Sequence, residues 1–408
     1  MEIGFVSFNQ ETLNRANKVM KLLQGQGAVD ELGLGRIRDA FSNMMFPGMS
    51  VLQSHAKYLL LLPSLYVYLE KTRIADAREA RAIVRAQEIK LTYRLMDGSS
   101  KDATGIIGAE MLSRGKGYVK YDPTYVYQAG MEIYGLIPSG GNIYATLAER
   151  SAIYQNMPKK YKGNEDTDDD SDDLTGTRQI FKVCGEDYDF SRHEPLNIKL
   201  TRREAEFLKN QIIRNTQGSL LSYLLDSGLY ENITDYLFDN LGDILQSKIP
   251  DELYRIYKLA LRFSRFACIL RVRYAMLYDV AVGADESAIE EQVRFNSMLS
   301  EFREEFTPGA IDEIVRIISS RVSEESCKAF IAKSASLIAE ENYDELDRLI
   351  TLREKTIKGL KRSKLINANE FEKGKPFESP NMMTFRWNTI VRTVLSEINE
   401  GLKSGNLQ

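Results

Sequence analysis

Apolar residues recur at helical spacing along most of the chain. Between Glu11 and Leu23, the positions Leu13, Ala16, Val19, Met20 and Leu23 fall on one face, which predicts a helix ending at Gly25–Gly27. A second helix is expected over Gly35–Met45, followed by a Pro47-Gly48 turn. Ser50 with Gln53 three residues later has the capping-box spacing, so a helix is predicted from Ser50 towards Leu62, ended or kinked by Pro63. The stretch Ala75–Leu95 is rich in good helix formers and stops at Asp97-Gly98. Gly117–Tyr121 is the one β-like stretch. Asp122-Pro123 reads as an N-cap with proline at the first helical position, opening a helix to about Tyr134.

The pattern breaks between Lys159 and Asp189. Asn164–Asp173 holds seven acidic residues and no apolar one, the composition of a solvated loop. It is not an EF-hand: counted from Asp166, the required glycine and glutamate positions hold Ser171 and Thr177. Beyond it, Thr201 with Glu204 is a second capping box, and helices are predicted over Leu220–Leu225, Tyr230–Gln246, Asp251–Ala281, Asp285–Phe306, Ala310–Val322, Glu324–Glu340, Tyr343–Leu360 and Asn381–Leu402. The expected fold is mainly α: an N-terminal helical lobe over residues 1–158, an acidic linker over 159–195 and a C-terminal helical bundle over 196–408.

Composition sharpens this picture. With 43% hydrophobic and 27% charged residues, the 408-residue chain has the apolar content for sizeable cores. The net charge of −4 leaves nucleic-acid binding to local patches. Cys184, Cys268 and Cys327 are odd in number and widely spaced, which suggests a reducing compartment. The first ten residues lack a signal-peptide pattern and no apolar run approaches a membrane span, so a cytoplasmic protein without a membrane partner is expected.

Candidate chemistry is sparse. Only His55 and His193 are present, and neither has cysteines or carboxylates at zinc-ligand spacing, so no metal site or cofactor is predicted. His55-Ala56-Lys57 opens like the phospholipase-D-type nuclease motif, but its aspartate position is Leu62. Gly33-Leu34-Gly35 lacks the third glycine of a dinucleotide fingerprint, whose place is Arg38. No catalytic residue is assigned.

A basic stripe is the better candidate. On the predicted helix Asp251–Ala281, Arg255, Lys258, Arg262, Arg265 and Arg273 fall within about 80° at 100° per residue, beside an apolar sector of Leu259, Phe263, Phe266, Leu270 and Leu277. Such a row suits phosphate contacts; it equally suits pairing with acids such as Glu290, Glu291, Glu301, Glu304 or Glu305. A second basic run, Arg353–Lys364, has six Lys/Arg and one acid.

The segment Val29–Tyr66 is dense in special residues. Its Asp30, Glu31, Leu32, Gly33, Gly35, Arg38, Asp39, Phe46, Pro47, Gly48, Ser50, Gln53, Tyr58 and Pro63 resemble the opening motif of an uncharacterised bacterial family of unknown function. His55 stands where that motif has a cation, and Leu65 near an aromatic position. Gly105–Gly108, Thr201–Ala205 and Phe385-Arg386-Trp387 resemble further pieces of it. The resemblance implies genes encoded beside helicases and phospholipase-D-type nucleases in bacterial defence regions.

In physical terms, Asp30, Glu31, Arg36, Arg38 and Asp39 can pair across a tight turn. The short-helix, turn, helix pattern is also that of a helix-turn-helix or winged-helix unit, in which Ser50, Gln53, Ser54, His55 and Lys57 open a recognition helix suited to DNA. The expected function is a non-catalytic accessory subunit of a DNA-targeting defence system, binding protein partners and DNA. The alternatives are a nuclease with an unrecognised carboxylate metal site and a helix-turn-helix transcription regulator.

Overall fold

A computed structural model describes residues 30–100, 104–157, 179–186, 188–368 and 373–404. The described residues are helices and their connections, with no strand among them, so the fold is mainly α. The β-like stretch Gly117–Tyr121 is irregular chain. The helix expected at Glu11–Leu23 and the acidic run Asn164–Asp173 lie outside the described residues. No described helix is long and apolar enough to cross a membrane.

Two compact units emerge, each assembled from separate stretches of chain. One takes Phe46–Tyr236 and the chain from Arg386 onward; the other takes Leu237–Phe385 and the stretch ending at Met45. The sequence reading placed its boundary in the acidic segment 159–195. The units instead change at 45/46, 236/237 and 385/386.

In unit 2, α1 (Gly35–Met45) packs on the long α11 (Asp251–Val282), with the Phe41 and Phe263 rings stacked at 5.9 Å. Asp251 and Glu252 complement the N-terminal dipole of α11, and Gly283 ends it in a left-handed conformation. At 32 residues it is about 48 Å long. It is flanked by α12 (Asp285–Phe302), α13 (Pro308–Ile318) and α15 (Tyr343–Lys358), while α14 (Glu325–Ala339) packs on α13 and α15.

In unit 1, α2 (Tyr58–Glu70) is apolar nearly all round, and its Tyr58–Pro63, Leu65, Tyr66 and Leu69 are buried. A helix with no polar face belongs at the centre. It packs against α5 (Pro123–Ile133) and α6 (Ile143–Asn156), and α3 (Ala77–Gly98) lies on α6. Pro63 sits inside α2 and does not end it. The short α4 (Ala109–Ser113) follows α3. The predicted capping box opens α7 (Arg202–Asn215), with Thr201 and Glu204 bonding reciprocally. Helix α7 packs on α8 (Leu220–Ser227) and on α16 (Arg392–Lys403), which also touches α9 (Tyr230–Ile233).

Three predicted helices are shorter than expected. Tyr230–Gln246 is broken into α9, a 3₁₀ turn at Phe238–Asn240 and α10 (Gly242–Leu245). The helix expected from Asn381 begins with a π-helical turn at Trp387–Val391. The helix expected from Ser50 begins only at Tyr58.

Candidate functional site

Unit 1 closes around the segment 46–58. Gly48 adopts φ +81°, and a Cβ there would lie 2.6 Å from the Tyr134 ring, so the turn accepts only glycine. The Tyr134 hydroxyl donates to Pro47 O at 2.9 Å. Gln53 bridges back to the same turn: its Nε2 donates to Gly48 O at 3.1 Å and its Oε1 accepts from Ser50 N at 3.0 Å. Ser50 and Gln53 therefore meet as predicted, but across a non-helical turn. The backbone N–H groups of Ser54 and His55 go to the Tyr127 hydroxyl at 2.8 and 2.9 Å.

His55 and Lys57 follow in the same irregular chain, and both are tied down. His55 Nδ1 meets Glu397 Oε1 at 2.5 Å and Nε2 meets Thr104 O at 2.6 Å. Both partners are acceptors, an arrangement in which a protonated ring donates from both nitrogens. Burial alone lowers its pKa; the Glu397 hydrogen bond and charge outweigh burial and raise it. Lys57 is buried, its Nζ donating to both Glu204 carboxylate oxygens at 2.5 and 2.6 Å. Ser50, Gln53, His55 and Lys57 thus lie outside any helix, and their polar atoms are engaged within the unit. That removes the recognition helix on which the helix-turn-helix reading rested.

The other resembling pieces converge on the same segment. Ile107 N donates to the Tyr58 hydroxyl at 2.9 Å, Arg386 Nη1 donates to Met49 O at 2.6 Å, and the Trp387 ring meets Phe46 at 5.6 Å.

The first half of the motif belongs to unit 2. Asp30 accepts from Leu34 N at 2.9 Å and Gly35 N at 2.5 Å, and so caps α1. Glu31 is buried and pairs with Lys358 and, at 3.0 Å, Lys364. Gly33 (φ +68°) leaves room for Arg353, which a Cβ would approach to 2.8 Å. Arg353 donates through Nε to Leu32 O at 3.0 Å. Arg36 pairs with Glu324, and Arg38 with Asp39 at 3.1 Å. Of the pairing expected across one tight turn, the described residues form the Arg38–Asp39 ion pair. The other partners come from α15, the chain after it and the start of α14, because buried charges need counter-charges that the short turn cannot reach. From the second basic run, Arg353, Lys358 and Lys364 turn to this motif, while Lys355, Lys361 and Arg362 are exposed.

The stripe sits on α11 as predicted, and four of its five members are paired. Arg255 binds Glu313 at 2.9 Å and Arg262 binds the same carboxylate at 3.4 Å. Arg265 pairs with Glu305. Arg273, buried between Phe295 and Tyr343, holds Asp347 with two bonds of 2.6 and 2.8 Å. Lys258 is exposed. Of the acids named from sequence, Glu305 is a stripe partner; Glu313 and Asp347, from α13 and α15, are the others.

Sequence reasoning missed several buried acids, Glu88 among them. Glu88 follows Val84 and precedes Leu91 and Leu95 on the core face of α3, a spacing that marks it as a carboxyl in an apolar position. It is fully buried; Oε1 accepts from Thr124 N at 2.7 Å and Oε2 has no partner. Asp122 caps the same first turn of α5, accepting from Tyr125 N at 3.0 Å. Burial first, then the Asp122 charge, pushes the Glu88 carboxyl up from 4.5 to about 8.

A folded pKa above the unfolded one contributes stability that is complete below the unfolded value and is lost as pH rises towards the folded one. The Glu88 contribution is therefore expected to decline between about pH 4.5 and 8, by on the order of 1.4 kcal/mol per pH unit. Urea titrations of wild type and Glu88→Gln across this range should diverge in favour of the variant; parallel profiles would contradict the assignment.

Among the described residues, no group of three or more His, Cys, Asp or Glu is placed to hold a metal. Residues 2–307 match the model of a family of unknown function, DUF6361. The resembling piece Phe385-Arg386-Trp387 lies beyond the matched range. No curated protein and no solved structure matches the chain.

Proposed function

The chain belongs to the DUF6361 family, and we propose that it acts as a non-catalytic helical subunit that holds protein partners. One observation carries this reading: the outer face of α12. Ile289 and Val293, one turn apart, are 65% and 63% exposed, and Val280 at the end of α11 is 59% exposed. Asp285, Glu286 and Glu290 surround the apolar pair with exposed carboxylates, and no ion pair engages them among the described residues. The one cation of α12, Arg294, is bound to Ser379 and Pro380 O.

This face suits an amphipathic segment with aliphatic residues flanked by Lys or Arg. Burying each aliphatic side chain contributes about 1.5–3 kcal/mol. The same carboxylates repel a nucleic-acid backbone, and the stripe arginines already hold acids, so DNA contact is not assigned to either surface. For the setting, a bacterial defence assembly with a helicase or phospholipase-D-type nuclease as partner, the support is the motif resemblance.

The test is recovery of tagged protein from its native host. Wild type is expected to bring down one partner in fixed stoichiometry, and folded Ile289→Ser/Val293→Ser to lose that partner. Retention of the partner by the double variant overturns the docking face. Chelator-sensitive cleavage of labelled DNA by the purified protein with Mg²⁺ or Mn²⁺ overturns the non-catalytic reading.

A further inference from the structure

A small cleft in unit 1 lies between one face of α3 and the turn 190–193. Gln87, Lys90 and Arg94 line it from the helix, and Ser191, Arg192 and His193 from the turn, with Phe190 as an apolar wall. Positions 87, 90 and 94 share a helix face because they are three and seven residues apart.

The unusual member is Arg94. It is only 4% exposed, yet no carboxylate binds it. Its Nε donates to Glu194 O and its Nη2 to Tyr188 O, both at 2.7 Å, and its plane lies 5.9 Å from the Phe190 ring. Its third nitrogen, Nη1, makes no hydrogen bond among the described residues. A guanidinium cannot shed its proton at neutral pH, and the nearest negative charges, Asp189 and Glu194, attract it without hydrogen-bonding to it.

Those two acids are shared. Asp189 and Glu194 are engaged by Arg192, at 2.9 and 3.4 Å. Lys90 and His193 are exposed and pair with nothing among the described residues. Among the described residues, Lys90, Arg94 and Arg192 against Asp189 and Glu194 leave one excess positive charge, and protonation of His193 adds another.

We infer that this cleft is a binding site for a phosphate group, held by Arg94 from inside and by Lys90 and His193 at the mouth. The guanidinium edge supplies charge-assisted donors of the kind phosphate oxygens favour, and the Gln87 amide adds a neutral one. The phosphate belongs either to a small phosphorylated ligand or to a nucleic-acid backbone. Neither source depends on the partner-docking face of α12.

The experiment uses the full chain at low ionic strength. Inorganic phosphate is expected to raise Tm beyond sodium chloride at matched ionic strength. Lys90→Glu, an exposed change that leaves the fold intact, is expected to weaken phosphate about tenfold, the equivalent of one charge-assisted hydrogen bond. Arg94→Lys should weaken it further by removing the fork. A second arm measures anisotropy of a labelled oligonucleotide. Binding that weakens in Lys90→Glu, with a salt slope lower by about one, assigns the site to a nucleic-acid backbone. Phosphate binding without oligonucleotide binding assigns it to a small phosphorylated ligand. No stabilisation beyond chloride, together with no oligonucleotide binding sensitive to Lys90→Glu, overturns the site.

Discussion

Replacing Lys57 by methionine is expected to destabilise unit 1 by about 3–5 kcal/mol, the range for removing one partner of a buried ion pair. Glu204 is 1% exposed and accepts from Lys57 through both oxygens, from the Tyr188 hydroxyl at 2.5 Å and from Thr201 N at 2.7 Å. Without the ammonium, its charge stays buried beside two neutral donors. Converting Glu204 to glutamine in the same chain removes that charge, so Lys57→Met/Glu204→Gln should recover much of the loss, a coupling that a double-mutant cycle in urea measures. A DNA-contacting Lys57 predicts the reverse: unchanged stability with weakened DNA binding. A single-variant cost below about 1 kcal/mol, the level of an exposed pair, would show that Lys57 is not structural.

An effect of similar size is expected in unit 2 for Glu354→Ala. Glu354 is fully buried and gathers five donors: the Tyr274 hydroxyl at 2.8 Å, Lys358 Nζ at 3.1 Å, the Ser363 hydroxyl at 2.6 Å, and the backbone N–H groups of Lys364 at 2.8 Å and Leu365 at 3.1 Å. It thereby fixes the turn after α15 that presents Lys358 and Lys364 to Glu31. Alanine orphans the backbone donors and the lysine together, at a cost of about 3–5 kcal/mol. Glu354→Gln keeps an acceptor and should cost less. Protease nicking in 359–365 should rise in the alanine variant before global unfolding. Unchanged midpoint and nicking would mean that Glu31 is held without this turn.

Local chemistry was legible wherever a helix start depends on its own neighbours. Asp122-Pro123 and Thr201–Glu204 cap α5 and α7 as their spacing implies, and α11 follows its apolar period closely. Asn142 caps α6 in the same manner, a signal present in the sequence but passed over. Ser50–Gln53 has the same spacing as Thr201–Glu204 and forms a turn instead, because the Tyr127 hydroxyl, 73 residues from Ser54, captures the N–H groups that a helix would have used. Local pattern cannot register such a competitor.

The site residues divide on the same line. The angular argument placed Arg255, Arg262, Arg265 and Arg273 on one side of α11, but their partners Glu313 and Asp347 arrive from helices whose packing no periodicity reveals. Likewise the two halves of the motif, Asp30–Asp39 and Phe46–Tyr58, read as one corner in sequence and are built into different units. Arg94 was invisible for a related reason: its partners Tyr188 O and Glu194 O lie about a hundred residues away in sequence.

Site-specific photocrosslinking in the native host tests the proposal that the α12 face holds a partner. A photoreactive side chain at Val293 is expected to yield one adduct of defined mass, reduced when Asp285, Glu286 and Glu290 are changed to lysine. The same side chain at Lys258, exposed on the stripe of α11, is expected to yield none. An adduct from position 258 and none from position 293 would contradict the claim.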